Sequence, residues 1–278
     1  MTVITNNLVT IILVANILLS FIIVFRERRD TAQTWAWLLV LNFIPVVGFV
    51  LYFFFGRGIS KDKIFDLKMQ GKIGMNVEIE EQRQALQRDL FPQPPTARVD
   101  AKQLIYMLTV YERALYTTTN QVQLFTDGRE KFDALLADIA KAKNHIHMEY
   151  YIFRGDHLGQ ELLAALVAAA KRGVKVRVLL DAWGSNGVAR HFFEPLKAVG
   201  GEVTFFFPLF VPYLNPRINY RNHRKIVVID GQIGYTGGFN VGDEYLGLVE
   251  KFGYWRDNHL RIAGPAIYSL QNRFLMDW

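Results

Sequence analysis

A chain of 278 residues has room for one large domain, or for one domain with appendages. Its net charge of +6 suits an anionic partner, either a lipid surface or a nucleic acid, without choosing between them. The absence of cysteine excludes disulfides and thiolate metal sites.

Apolar residues crowd the N-terminus. Residues 8–25 form an apolar run broken only by small or amide side chains such as Asn16 and Ser20. At about 1.5 Å per residue, a helix of this length nearly crosses a hydrocarbon core of about 30 Å. Arg26-Glu27-Arg28-Arg29-Asp30 stops it. A second run, residues 35–55, ends at Gly56-Arg57-Gly58. Trp35, Trp37 and Tyr52 lie near its ends, where amphipathic rings favour the interface. Pro45 and Gly48 are expected to kink it, which neighbouring helices can tolerate. Residues 1–58 therefore predict a hairpin of two transmembrane helices. A signal peptide is the rival reading, but the basic cluster follows the first run instead of preceding it. Three loop arginines favour a cytoplasmic loop, whereas Arg57, Lys61, Lys63, Lys68 and Lys72 pull the opposite way.

Residues 59–120 read as a juxtamembrane connector. A charged helix is expected over Glu78–Leu90, then a break at Phe91-Pro92-Gln93-Pro94-Pro95, then a helix over Lys102–Tyr116. Its basic residues could lie against anionic headgroups or simply face water.

From residue 121 strands and helices alternate. Asp127 and Glu130 form a capping-box signature ahead of Phe132, Leu135, Leu136 and Ile139 at helical spacing. Strands are expected at His145–Phe153, Val174–Asp181, Glu202–Phe207, Ile226–Ile229, Gln232–Thr236 and His259–Ile262. Helices are expected at Gly159–Arg172 and Val188–Val199. This order predicts an α/β layered domain with a mixed, mostly parallel sheet over residues 121–278. The stretch Phe205–Tyr213 is apolar enough for a membrane-dipping lip, or for ordinary core.

One window carries the chemistry: Asn222-His223-Arg224-Lys225, Asp230 five residues on, then Gly237-Gly238-Phe239-Asn240. Side chains at i and i+2 of a strand share a face, so His223 and Lys225 are expected to project together while Arg224 points away. A neutral imidazole can attack phosphorus, and Lys225 can neutralise the phosphoryl oxygens. Gly237 and Gly238 permit close backbone approach, and Asn240 can offer its amide to a phosphoryl oxygen. Lys225, Gly238 and Asn240 are thus the expected phosphate-binding residues. Asp230 has the opposite parity. It suits a structural or charge-balancing part, through a hydrogen bond that orients a histidine from elsewhere. The leaving alkoxide needs a second acid, most naturally another histidine. No metal or cofactor is expected, because fixed cations serve the phosphate. His145 and His147 share a strand face but lack a third ligand at suitable spacing. Glu149, on that strand, is expected either to touch the site or to hold a buried hydrogen bond.

The segment resembles the phospholipase D superfamily motif at His223, Lys225, Asp230, Gly237 and Asn240. Together with the N-terminal runs, His147-Met148-Glu149-Tyr150-Tyr151-Ile152-Phe153 and Trp255-Arg256-Asp257 leading to Gly264-Pro265, the chain is similar to the bacterial cardiolipin synthases. That resemblance implies a phospholipase D-like half-domain in a multi-pass protein of the bacterial cell membrane. It implies His223, Lys225 and Asp230 as catalytic residues, with His223 as the nucleophile. It also implies phosphatidyl transfer between two phosphatidylglycerol molecules, giving cardiolipin and glycerol, with anionic phospholipids and no nucleic acid as partners. Hydrolysis by a membrane-anchored phospholipase D is the alternative. The superfamily branch carries two such motifs, and none of the other histidines is followed by lysine two positions on. The expectation is therefore that a missing C-terminal region, or a homodimer, completes the site. A catalytically incomplete fragment is the third reading.

Overall fold

The computed structural model describes residues 2–25, 31–52, 75–88, 101–188, 190–206 and 221–278. Contacts divide the described residues into two units, 2–52, and 75–206 with 221–278.

In the first unit, helix α1 (Thr2–Phe25) packs with α2 (Thr31–Phe43) and α3 (Pro45–Leu51). The predicted second run is not one helix. It divides at Ile44, with φ −131° and ψ 66°, because Pro45 has no N–H to give to the carbonyl four residues back. That carbonyl belongs to Leu41, and the Asn16 amide of α1 donates to it at 2.9 Å and to the Pro45 carbonyl at 2.9 Å. Ile23, Leu41 and Tyr52 form the small core, with the Trp37 ring edge-on to Tyr52. Ile17, Leu18, Phe21, Phe25, Leu39 and Val47 face outward, exposed. Among the described residues no helix is long and apolar enough to cross a membrane, so two full spans are not confirmed. The side chains of residues 2–9 lie outside the described set.

The second unit holds α4 (Met75–Gln87) and α5 (Ala101–Tyr111), joined by the Gln82 side chain, which accepts from Thr109 Oγ1 and Tyr116 N. The expected Pro-rich break and the basic residues at 57–72 lie outside the described residues. The strands are β1 (Gln121–Phe125), β2 (His145–Tyr150), β3 (Lys175–Asp181), β4 (Glu202–Phe206), β5 (Ile226–Ile229), β6 (Ile233–Gly237) and β7 (His259–Ala263). They form one sheet in the order β1-β7-β6-β5-β2-β3-β4.

Only β2–β3 and β3–β4 pair in parallel; the other four neighbours are antiparallel. The expectation of a mostly parallel sheet is therefore corrected. Parallel neighbours require a crossover, and among the described residues helical crossovers join both parallel pairs. These are α7 (His157–Lys171) and α8 (Glu194–Lys197). After β5 the chain turns at once through Asp230 (φ 54°) and Gly231 (φ 65°), which forces an antiparallel return. The longer helix expected over Val188–Val199 is replaced by a 3₁₀ turn, Arg190–Phe193, and by the one-turn α8. Residues 207–213 of the apolar stretch lie outside the described residues.

Two layers cover the sheet. On one face lie α6 (Gly128–Lys141) and α7, burying Phe132, Leu135, Ile139, Leu162 and Leu166. Asp127 caps α6 by accepting from Arg129 N and Glu130 N. On the other face a C-terminal helix, α9 (Ile267–Asp277), packs on β5. It is an element beyond those expected from the sequence, and its local signal is Ile267, Leu270 and Phe274 recurring at helical spacing. β5 is apolar in both directions because both its faces are covered: Val227 and Ile229 enter the larger core, Ile226 and Val228 the smaller one.

One buried ion cluster ties α6 to the sheet. Asp138 accepts from Tyr235 Oη at 2.5 Å, from Arg261 Nε at 2.7 Å and from Arg261 Nη2 at 3.1 Å. Asp138→Ala removes the acceptor of a mostly buried guanidinium and a buried hydroxyl. Urea unfolding should show a loss of about 3 kcal/mol; a loss below about 1 kcal/mol would contradict this account.

Candidate active site at the start of the central strand

His223 and Lys225 lie in the irregular segment just before β5, not within it. The expected pairing is nevertheless realised. Lys225 Nζ is 3.0 Å from His223 Nδ1 and donates to the His223 carbonyl at 2.8 Å. Lys225 is buried and His223 is exposed. The Tyr151 ring lies 4.2 Å from the imidazole, centre to centre, with Lys225 Nζ 5.4 Å from the same ring. A cleft of about 620 Å³ opens beside them, lined by His223, Lys225 and Gly237 and by Leu124, Leu260 and Leu270. Arg224 lines it too and reaches Asp277 at 3.0 Å.

Burial is the main reason the Lys225 ammonium is pushed down to about 8; the Asp257 carboxylate opposes this. His223 is lowered from its usual value by desolvation first and then by the Lys225 charge, with Asp181 acting the other way. Near neutral pH these shifts favour an uncharged His223 imidazole, while Lys225, at about 8, still carries its charge in most molecules.

The glycines bring the next loop close. A Cβ on Gly238 would collide with the Asp257 carboxylate, and one on Gly237 with the Asn258 carbonyl. Gly238 N donates to that carbonyl at 2.8 Å. Asp257 is thereby seated near Lys225. Nothing in the spacing of the His223 window points to Asp257; its signal in the sequence is the segment Trp255-Arg256-Asp257 that carries part of the resemblance.

Two expected site residues stand elsewhere. Asp230 sits at the far end of β5, about 16 Å of extended chain from Lys225. Its carboxylate accepts from the backbone N–H groups of Lys143, Asn144 and His145, at 2.7–2.9 Å. It orders the entry to β2, and its bond to His145 goes to the backbone, not to an imidazole. Asn240 is buried, with Oδ1 accepting from Ile152 N at 3.0 Å and Nδ2 donating to Tyr245 Oη at 2.9 Å. It joins the ends of β2 and β6 and does not line the cleft. His145 and His147 are bridged by Gln271, at 3.1 Å and 2.7 Å.

His259 is fully buried between Phe239 and Tyr235, with neither ring nitrogen hydrogen-bonded among the described residues. Desolvation above all, then the Lys131 and Lys225 charges, lowers it to about 2.

The family model described as "Cardiolipin synthase, PLD-like domain" matches residues 135–278. A second, "Phospholipase D-nuclease N-terminal", matches residues 14–57. The Bacillus subtilis protein named major cardiolipin synthase ClsA is 50% identical over 275 residues, 99% of this chain and 57% of its own length. A cardiolipin synthase of Listeria monocytogenes is 50% identical over 271 residues, 98% of this chain and 56% of its own. One from Staphylococcus aureus is 47% identical over 276 residues, 99% and 56%. The chain spans a little over half the length of these relatives.

The neutral state of His259 has a consequence for stability. Its folded pKa lies below the unfolded value of about 6.5, so the unfolded chain binds the proton first on acidification. This contribution is full above about pH 6.5 and is lost as pH falls from there toward about 2. His259→Leu should flatten the decline of urea midpoint between pH 6.5 and 4.5; an unchanged slope would show that the imidazole is not what titrates.

Proposed function

Because the chain belongs to the family described as cardiolipin synthase, PLD-like domain, we propose that the protein transfers a phosphatidyl group from one phosphatidylglycerol to another, releasing glycerol and forming cardiolipin. The observation that carries this reading is the exposed His223 imidazole with a buried lysine cation 3.0 Å from its Nδ1, at the edge of a cleft.

In the proposed reaction, an ammonium is donor-only, so with Lys225 on Nδ1 the neutral ring carries its proton on Nε2. An incoming phosphodiester draws the ammonium onto its oxygens. Nδ1 can then hold the proton, and the Nε2 lone pair attacks phosphorus. The N–P bond forms as the P–O bond to glycerol breaks, and an acid protonates the departing alkoxide. A hydroxyl of the second phosphatidylglycerol then attacks phosphorus, giving its proton to the conjugate base of that acid, and the N–P bond breaks. Lys225 stabilises the charge on the phosphoryl oxygens in both steps. Asp257 balances the Lys225 charge, while Asp230 and Asn240 hold the ends of the strands that present the site. We assign the catalytic half-domain to residues 121–278. The acid and the second phosphate-binding cation are assigned to the region that the longer relatives carry beyond this match, or to a second copy of this chain.

The N-terminal helices are proposed to insert in the bacterial cell membrane as a hairpin. What supports this is an inverted distribution of polarity: the Asn16 amide is inside, bonded to the Leu41 carbonyl that proline leaves without its helical donor and to the Pro45 carbonyl, and the large apolar side chains are outside.

Full-length protein incubated with phosphatidylglycerol vesicles should yield cardiolipin and glycerol, and phosphatidic acid as the main product would replace transfer by hydrolysis. His223→Ala should lower the rate at least about a thousandfold, as expected for loss of a covalent nucleophile. The activity should rise with pH through a value below 6.5, as His223 loses its proton, and fall through about 8, as Lys225 does. Undiminished kcat/KM at pH 10 would remove Lys225 from the mechanism.

A further inference from the structure

The nucleophile proposed above is exposed, yet the residues beside it are fastened below the surface. Asn222 is buried. Its backbone N–H donates to Asp181 Oδ2 at 2.8 Å, and its Nδ2 donates to Glu149 Oε1 at 2.5 Å. Asn222 Oδ1 accepts in turn from Arg224 N and Arg224 Nη1, both at 3.2 Å. Arg224 Nη1 also donates to Asp277 Oδ2 at 3.0 Å, where Arg273 Nε donates at 3.0 Å. The loop on either side of His223 is thus clamped between the ends of β3 and β2 and the last turn of α9.

Glu149 is the unusual member of this clamp. It lies in β2 opposite Ile226 of β5, on the α9 face of the sheet, and is 1% exposed. The two guanidinium groups bond to Asp277, whereas Glu149 receives only a neutral amide on Oε1. Its Oε2 is buried with no hydrogen-bond partner among the described residues. A charged carboxylate so placed would keep an unsolvated oxygen beside a second carboxylate, the costliest arrangement available to it. A protonated carboxyl removes both objections and still accepts from Asn222.

We propose that Glu149 is a positioning residue for the reaction: a neutral carboxylic acid that shares its proton with the Asp277 carboxylate and, through Asn222, fixes the loop that presents His223. This rests on the reading of His223 as the nucleophile. Burial first, and then the Asp277 charge, raises Glu149 to about 8, which agrees with the geometry. The functional consequence is preorganisation. A loop ordered before substrate arrives loses less freedom at the transition state, and a small misplacement of a nucleophile costs a large factor in rate. The β2–α9 contact would then act on kcat without touching the lipid.

Three variants of the full-length protein test this, each assayed on phosphatidylglycerol vesicles and by amide hydrogen exchange over residues 221–225. Glu149→Gln keeps the acceptor for Asn222 and replaces the carboxyl hydroxyl by an N–H donor. Its kcat should stay within about twofold and its amide protection should be unchanged. Glu149→Leu fills the space without either hydrogen bond. Its kcat should fall roughly tenfold or more, with KM unchanged and protection of Asn222 and Arg224 lost. If Glu149→Gln is impaired as severely as Glu149→Leu, the residue acts as a charge and the proposal is overturned. If Glu149→Leu keeps full kcat and protection, Glu149 positions nothing. Should the leucine variant not fold, the glutamine variant decides alone, since an ionised Glu149 could not be replaced by a neutral amide without loss. His223→Ala separates the two layers of inference: retained activity there defeats the nucleophile assignment, while the exchange data still report on the clamp.

Discussion

The arrangement turns on a cation that water scarcely reaches. An ammonium loses several kcal/mol of hydration when it is buried, and it stays in place only if the surroundings supply acceptors in fixed positions. Lys225 finds them in the His223 carbonyl and ring, with the Asp257 carboxylate and the Tyr151 face nearby. Each of these must be held by something rigid. Asn222 fixes the backbone of the His223 loop, Gly238 makes room for Asp257, and Asn240 locks the end of β6 to the chain leaving β2. Beneath them β5 is packed on both faces, so a one-residue slip in its register would reverse every side chain from one core to the other.

That constraint also explains why polar groups are buried in such numbers along one face. Asn222 donates to Glu149 and accepts from Arg224, Asp277 accepts from Arg224 and Arg273, and α9 closes over them. Buried polar networks of this kind specify one geometry, because a half-satisfied alternative leaves donors or acceptors without water. The same logic operates in the N-terminal helices. Pro45 opens a gap in the helical ladder, and an amide from a different helix fills it. Near water such a gap would simply hydrate; away from water the Asn16 bond becomes the condition for the bend.

The motif, the apolar runs and the strand–helix alternation could be read from the chain because each rests on local chemistry: residue type, spacing and parity. The His223–Lys225 pairing belongs to this class, as do α6 with its Asp127 cap and the fully apolar β5. The relation between strands did not. Whether neighbours run parallel depends on which strand lies beside which, and the chain places β5 next to β2, far away in sequence. The parts played by Asp230 and Asn240 were equally hidden. Both stand in the motif at regular spacing, yet their partners, residues 143–145 and Ile152 with Tyr245, lie across strand ends that spacing cannot show. Asn16 looked like an interruption of an apolar run until its acceptors on two other helical segments were placed.

By itself, then, the sequence determined the reactive groups and their immediate geometry, since an imidazole and a lysine two residues apart in extended chain must face one way. Only the tertiary structure decided which carboxylates serve that pair. Asp257 approaches from another loop and Glu149 from another strand, and although the motif segments contain both, residue spacing could not show which groups they meet. Burial and long-range hydrogen bonds give these groups their properties, and those exist only once the sheet has closed.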